Sequence, residues 1–270
     1  MDKEILTLEE AAELFGVSVK TFIKLLKEEK VPARKIGREW RFSRKSLIDW
    51  LSAGDSQLYS SSEGDSKEFF NDVAPEWEDI RKNYYDESIK NKLIDLKILK
   101  KSMSLADLGS GDGYIARAAA KYVKKITAVD NSNQMLKELL RKASDSGISN
   151  IATIEADGRS IPVDSSSFDI VCASMYLHHI DEPKEAIEEM ARILKPGGTV
   201  FLADFLLHDD TALKEKMHDV WPGFNTGLLT QWFSEKGFTE TVIHKVDTGA
   251  NTKNAGVFIL TSRKNSNKNL

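Results

Sequence analysis

Four aspartates, a run of glycines and a histidine pair are the residues of this 270-residue chain best suited to chemistry. Gly109, Ser110 and Gly111 follow an apolar run ending in Asp107-Leu108; after Gly113 comes an alanine-rich stretch. Strand, glycine turn and helix in that order present backbone N–H groups to a nucleotide-like ligand. Glycine allows close approach and the φ angles such a turn needs. Asp130, followed by Asn131, ends the next apolar run. It lies about twenty residues beyond the turn, where a carboxylate can accept both hydroxyls of a ribose. Asp157-Gly158 follows a third run, and an Asp there can accept from an adenine amino group while a backbone N–H donates to the ring. His178 and His179 follow a fourth run, and histidine suits a general base near neutral pH. One ring is expected to turn into the structure and the other towards substrate. Asp204 and His208, at and beyond the end of a fifth run, are further pocket candidates. His178, His179 and Asp181 make a poor metal set, because the histidines are adjacent and the sequence offers no partner elsewhere, so no metal is expected.

Such residues need a scaffold that brings strand ends side by side. Short apolar runs at 104–108, 126–130, 151–155, 168–174, 199–205, 239–245 and 256–261 alternate with helical patterns at 114–123, 133–146, 184–194 and 227–236. This predicts an α/β fold with a mainly parallel sheet covered by helices on both faces. The last two strands are joined without room for a helix, so they are expected to pair antiparallel at an edge. Residues 67–101 read as a helical cap rich in aromatics. Trp77, Tyr84 and Tyr85 either bury that cap or form a lid whose ring faces stabilise a cationic cofactor.

The first 52 residues are patterned as a separate unit. Thr7-Leu8-Glu9-Glu10 reads as a capping box, and Leu8, Ala11, Ala12, Leu14 and Phe15 share one helical face. Gly16 ends that helix and Ser18 caps a second, with Phe22, Ile23, Leu25 and Leu26 on its buried side. Residues 34–42 alternate apolar and basic around Gly37, as a small hairpin would. Ser43 opens a third helix, whose Leu47, Ile48, Trp50 and Leu51 return to the core. Residues 53–66 are Ser/Gly/Asp-rich and read as a flexible linker, with the catalytic domain expected over 67–270.

The blocks 8–12, 16–18, 35–37, 40–42 and 50–51 resemble winged helix-turn-helix domains of the excisionase and MerR-like type. That resemblance implies DNA binding. Lys20, Thr21 and Lys24 would face bases, while Arg34, Lys35, Arg38 and Arg41 would face the phosphate backbone. MerR-like relatives dimerise; a homodimer is compatible with this chain, although no long heptad repeat is present.

Residues 107–113, Val129-Asp130, Ala156-Asp157, Phe168-Asp169-Ile170-Val171, Leu177-His178-His179 and 194–198 resemble class I S-adenosylmethionine-dependent methyltransferases of the ubiquinone/menaquinone-biosynthesis type. The resemblance spans roughly 70–262 and implies a Rossmann-like seven-stranded sheet with its last strand antiparallel. It further implies that Asp107 supports the methionine end of S-adenosyl-L-methionine, and that the cofactor lies on Gly109, Ser110 and Gly111. Asp130 and Asn131 would hold the ribose, Met135 would pack on the adenine, Asp157 and Gly158 would read its edge, and Ser174 would approach the methionine moiety through its backbone. A nicotinamide dehydrogenase is the rival for this fold, and its usual third glycine position and catalytic residues are not apparent.

Composition and missing motifs narrow the acceptor. A net charge of −4 argues against a protein that coats nucleic acid over its whole surface. The single Cys172 fits cytoplasmic residence and cannot hold arsenite as several cysteines would; it also lacks the preceding proline of cytosine-C5 enzymes. The Asn/Asp-Pro-Pro-Tyr/Phe motif of amino-methylating DNA enzymes is missing, and no apolar run is long enough to span a bilayer. A small organic methyl acceptor is expected. The alternative is a regulator that binds S-adenosylmethionine or a metabolite and tunes DNA binding with little or no catalysis.

Overall fold

The structure, a computed structural model, describes residues 3–28, 31–37, 39–53, 60–246 and 256–266. It falls into two units, Met1–Tyr59 and Ser60–Leu270. The first contains β1 (Ile5–Leu6), α1 (Leu8–Leu14), α2 (Val19–Glu28), β2 (Arg34–Ile36), β3 (Glu39–Ser43) and α3 (Arg44–Ala53). The capping box forms: the Glu10 N–H donates to Thr7 Oγ1 at 3.3 Å, and the Thr7 N–H donates to Glu10 Oε2 at 2.8 Å. Ser18 caps α2 through the Thr21 N–H, and the wing pairs Ile36 with Glu39 around Gly37, whose φ is +65°. Leu6, Ala11, Ala12, Phe22, Phe42 and Leu47 form the core. Ile48 does not join it and is exposed, because it lies one residue off the face that Leu47 buries.

In the second unit, α4 (Ser60–Val73) begins inside the stretch expected to be a linker. Ser60–Val73 is helical despite its serines and glycine, since Phe69 and Phe70 at its far end pack into the main core and offset poor propensity. Residues 54–59 lie outside the described set. A 3-10 turn at Ala74–Glu76 carries Pro75, and α5 (Trp77–Arg81) and α6 (Ser88–Asp95) complete the cap.

The main sheet contains β4 (Ser104–Leu108), β5 (Lys125–Asp130), β6 (Ile151–Glu155), β7 (Phe168–Ser174), β8 (Leu194–Phe205), β9 (Phe238–Val246) and β10 (Val257–Lys264). Their order is β6-β5-β4-β7-β8-β10-β9. β4 to β8 pair in parallel, and β10 inserts antiparallel between β8 and the edge strand β9. Helices α7 (Tyr114–Ala119), α8 (Asn133–Asp145), α9 (Pro183–Ile193), α10 (Thr211–Met217) and α11 (Thr226–Glu235) complete the fold. The cap and α7–α8 residues cluster with one side of the sheet, and those of α9 and α11 with the other. β4 is buried at every position, as a strand covered on both faces must be. Reversal of strand order on either side of β4 opens a crevice at its carboxyl end, where such sheets bind ligands.

Candidate active site

A cleft of about 1000 Å³, counting its open mouth, lies at that crevice. All ten expected cofactor residues line it: Asp107, Gly109, Ser110, Gly111, Asp130, Asn131, Met135, Asp157, Gly158 and Ser174. They come together because parallel β4, β5, β6 and β7 end on the same side of the sheet. Gly109 and Gly111 have φ of +61° and +50°. The Asp130 carboxylate accepts the Gly111 N–H at 2.8 Å and the Ser132 N–H at 2.9 Å, which ties the second strand end to the glycine turn. Asp107 is buried and accepts the Ala116 N–H at 3.0 Å. Burial pushes its pKa up to about 8 against that hydrogen bond, so this carboxyl favours a cationic neighbour. The hydroxyls of Ser110 and Ser174 are buried without a hydrogen-bond partner. Uncapped polar groups, a desolvated acid and an open glycine turn fit a cofactor with both cationic and hydroxyl groups.

Two details differ from expectation. Asp157 is engaged by Arg159, whose Nε lies 3.1 Å from both carboxylate oxygens. Burial would raise the Asp157 pKa, but Arg159 outweighs it and holds the group low. Gly158 also serves a purpose the sequence does not signal. A Cβ at Gly109 would lie 2.3 Å from Tyr176 Cδ2, and one at Gly158 would lie 1.8 Å from the Tyr176 hydroxyl. The Tyr176 ring thus spans the two loops, and both glycines make room for it.

The cap supplies Ser66, Phe70, Trp77 and Tyr85 to the cleft. Trp77 Nε1 lies 3.7 Å from where a Gly111 Cβ would sit, and Phe70 packs edge-on to both Trp77 and His179. Tyr84 is buried beneath Lys216 and lies outside the cleft lining. Ion pairs hold the cap down. Lys142 bridges Glu78 at 2.9 Å and the buried Asp112 at 2.6 Å, Lys67 pairs with Glu155 at 3.2 Å, and Ser132 donates to Asn71 at 2.7 Å.

The two histidines split as expected: His179 lines the cleft, while His178 is buried behind it. His178 Nδ1 lies 2.6 Å from Asp204 Oδ1, and its Nε2 lies 3.5 Å from Asp219 Oδ1. Burial opposes a charge on His178, but Asp204 and Asp219 together raise its pKa to about 9. Burial and the neighbouring His178 charge drive His179 well below its usual range, so it stays neutral. His179 Nδ1 has no hydrogen-bond partner and lies 3.5 Å from Asp219 Oδ1. Asp204 and His208 lie outside the cleft lining; Asp204 instead fixes the turn by accepting the Leu177 and Phe205 N–H groups. Asp219 was invisible to sequence reasoning, since its segment carries no strand or motif signal.

In the N-terminal unit, Lys20, Thr21, Lys24, Arg34 and Lys35 are exposed. Thr21 Oγ1 hydrogen-bonds Ser18 at 2.8 Å, and Arg41 pairs with Glu39 within the wing. Arg38 lies outside the described residues.

Residues 106–202 match the family described as "Methyltransferase domain", and residues 5–55 match that described as "Helix-turn-helix domain". The chain is 26% identical over 211 residues to demethylmenaquinone methyltransferase of Paenarthrobacter aurescens, covering 67% of this chain and 81% of that one. It is 29% identical over 138 residues to the uncharacterized methyltransferase YcgJ of Bacillus subtilis, covering 49% and 54%. The chain therefore spans about half the length of that second relative. Two solved structures share the fold. The YcgJ crystal structure has a TM-score of 0.57 at 17% identity, covering 67% of this chain and all of that one. Haemonchus contortus phospholethanolamine N-methyltransferase 2 in complex with phosphomonomethylethanolamine and S-adenosylhomocysteine has a TM-score of 0.58 at 16% identity, covering 66% and 52%. Over residues 106–202 the chain thus carries a methyltransferase domain and, N-terminal to it over residues 5–55, a helix-turn-helix domain.

Proposed function

We propose that this chain is an S-adenosylmethionine-dependent methyltransferase that methylates a small organic acceptor bound beneath the aromatic cap, while its helix-turn-helix unit contacts DNA. The observation that carries the reading is one cleft lined at once by the glycine turn, the three acids Asp107, Asp130 and Asp157, the cap aromatics and His179. When bound, the cofactor supplies a methyl group already activated as a sulfonium. Asp107 would hold its cationic end, Asp130 and Asn131 its ribose, and Met135, Asp157 and Gly158 its adenine. Gly109, Ser110, Gly111 and Ser174 would give it backbone contact.

What remains for the protein is alignment and exclusion of water, and Phe70, Trp77 and Tyr85 supply an aromatic wall for both. Their ring faces also favour positive charge before transfer. His179 brings a neutral ring to that wall, and His178 acts behind it as a positioning residue clasped by Asp204. The aromatic cap residues that line the cleft and the absence of amino-methylating DNA motifs favour a small acceptor over a nucleic-acid base. For the N-terminal unit, exposed Lys20, Lys24, Arg34 and Lys35 support phosphate and base contact, with Thr21 and the wing's Arg41 beside them. The test incubates the enzyme and S-adenosylmethionine separately with the small-molecule, protein and nucleic-acid fractions of a cell extract. S-adenosylhomocysteine should accumulate with the small-molecule fraction. Accumulation only with the nucleic-acid or protein fraction would overturn the acceptor class.

A further inference from the structure

His178, His179 and Asp219 converge without direct hydrogen bonds among them. Their nearest ligand atoms, one per residue, all lie within 4.8 Å of one another. His178 Nε2 and His179 Nδ1 each stand 3.5 Å from Asp219 Oδ1, too far for a good hydrogen bond. Two donors about 2.1 Å from one ion at a tetrahedral angle lie about 3.4 Å apart, which matches this spacing. Neither Asp219 oxygen has a hydrogen-bond partner, although its side chain is fully buried. A buried carboxylate left so is costly unless something neutralises it.

The surroundings are those of a prepared ligand set. Asp204 accepts the His178 Nδ1–H at 2.6 Å, which orients the ring and directs Nε2 towards Asp219. Asp204 is itself fixed by the Leu177 and Phe205 N–H groups, at 3.0 and 2.7 Å. The Val220 and Trp221 N–H groups donate to the His178 carbonyl at 3.0 and 2.9 Å, locking the Asp219 segment against the histidine turn. Two buried carboxylates, Asp204 and Asp219, face the two imidazoles, a charge that a dication would balance.

We propose that His178 Nε2, His179 Nδ1 and an Asp219 carboxylate oxygen bind one divalent transition-metal ion of the zinc type, behind the wall of the cleft that His179 lines. Two imidazoles and one carboxylate suit such an ion better than magnesium or calcium, which prefer oxygen ligands. Resting on the methyltransferase reading, this site deepens it: the ion would hold the His179 ring from behind and so fix the orientation in which it meets the cleft. Occupation displaces the proton from His178 Nε2, which leaves to solvent.

The test uses tag-free full-length protein stripped of metal by dialysis against chelator and then titrated with Co²⁺. A visible d–d band of four- or five-coordinate cobalt should saturate at one ion per chain and be displaced by Zn²⁺. Asp219→Asn should weaken Co²⁺ binding by at least about tenfold, while S-adenosylhomocysteine still binds. No stoichiometric band in the wild type, or an unchanged band in Asp219→Asn, overturns the site. Should Asp219→Asn fail to fold, X-ray absorption of the zinc-loaded wild type decides: two imidazole ligands support the site, and fewer than two overturn it. Retained S-adenosylhomocysteine binding without cobalt binding refutes the metal alone; loss of S-adenosylhomocysteine binding by the wild type refutes the methyltransferase reading beneath it.

Discussion

Asp107 gives the sharpest handle on cofactor binding. Its carboxyl is buried, is stabilised by one backbone N–H, and titrates near 8 against an ordinary 3.8. If it pairs with the cationic end of the cofactor, binding requires the ionised form. Below pH 8 each unit of pH then costs about tenfold in affinity, or about 1.4 kcal/mol. Isothermal titration with S-adenosylhomocysteine should show Kd worsening about fiftyfold between pH 8, where half the carboxyl is ionised, and pH 6. Asp107→Asn should bind weakly at both values, with this dependence gone. The unliganded protein provides a second reading with the opposite sign. The native pKa is raised above the unfolded one, so the stability this group contributes is full below about pH 4 and is lost as pH rises through about 8. Asp107→Asn should therefore melt higher than the wild type at pH 8, while the two converge near pH 4. A wild-type Kd that is flat from pH 6 to 8, or the same slope in Asp107→Asn, would refute the pairing.

Three further outcomes follow from the geometry. Gly109→Ala places a Cβ 2.3 Å from Tyr176 at a φ of +61°; strain of at least about 1–2 kcal/mol plus displacement of the ring should lower the melting temperature and abolish S-adenosylhomocysteine binding, and wild-type behaviour in both would contradict the close approach. Lys142→Met leaves the buried Asp112 and the cap's Glu78 with Arg117 alone, 3.7 Å from each; urea denaturation should register a loss of about 2 kcal/mol, whereas a loss near zero would mean the bridge does not hold the cap. Arg34→Ala with Lys35→Ala should weaken binding to DNA upstream of the gene and reduce the salt slope by about one for each phosphate no longer neutralised, and unchanged affinity at moderate salt would count against the wing assignment.

That the expected cofactor residues gather in one cleft was legible in the chain because a parallel sheet imposes a rule. Each short apolar run ends on the same side, so Asp107, Asp130, Asp157 and Ser174 must gather there whatever the details of packing. The split between His178 and His179 was legible for a similar reason, since adjacent residues in a tight turn cannot point the same way. Contacts set by side-chain packing between distant segments were not legible. Asp219 joins the histidines only because backbone bonds from Val220 and Trp221 clamp its segment to His178. Tyr176 claims the space at Gly158 that an adenine contact alone would explain, and Arg159 engages Asp157 from two residues away. Tyr84, Asp204 and His208 have suitable chemistry in suitable order, yet none of them lines the cleft. Composition also misled at residues 60–66, where serines and a glycine read as linker but form the start of a helix anchored by Phe69 and Phe70.

Transfer itself is tested most directly with S-adenosylmethionine carrying a trideuterated methyl group, incubated with the full-length protein and a small-molecule extract and followed by mass spectrometry. The account predicts a small organic compound that gains one trideuteromethyl group in step with S-adenosylhomocysteine release. A protein that binds S-adenosylhomocysteine yet labels no compound in the extract would contradict it and would favour a cofactor-sensing regulator.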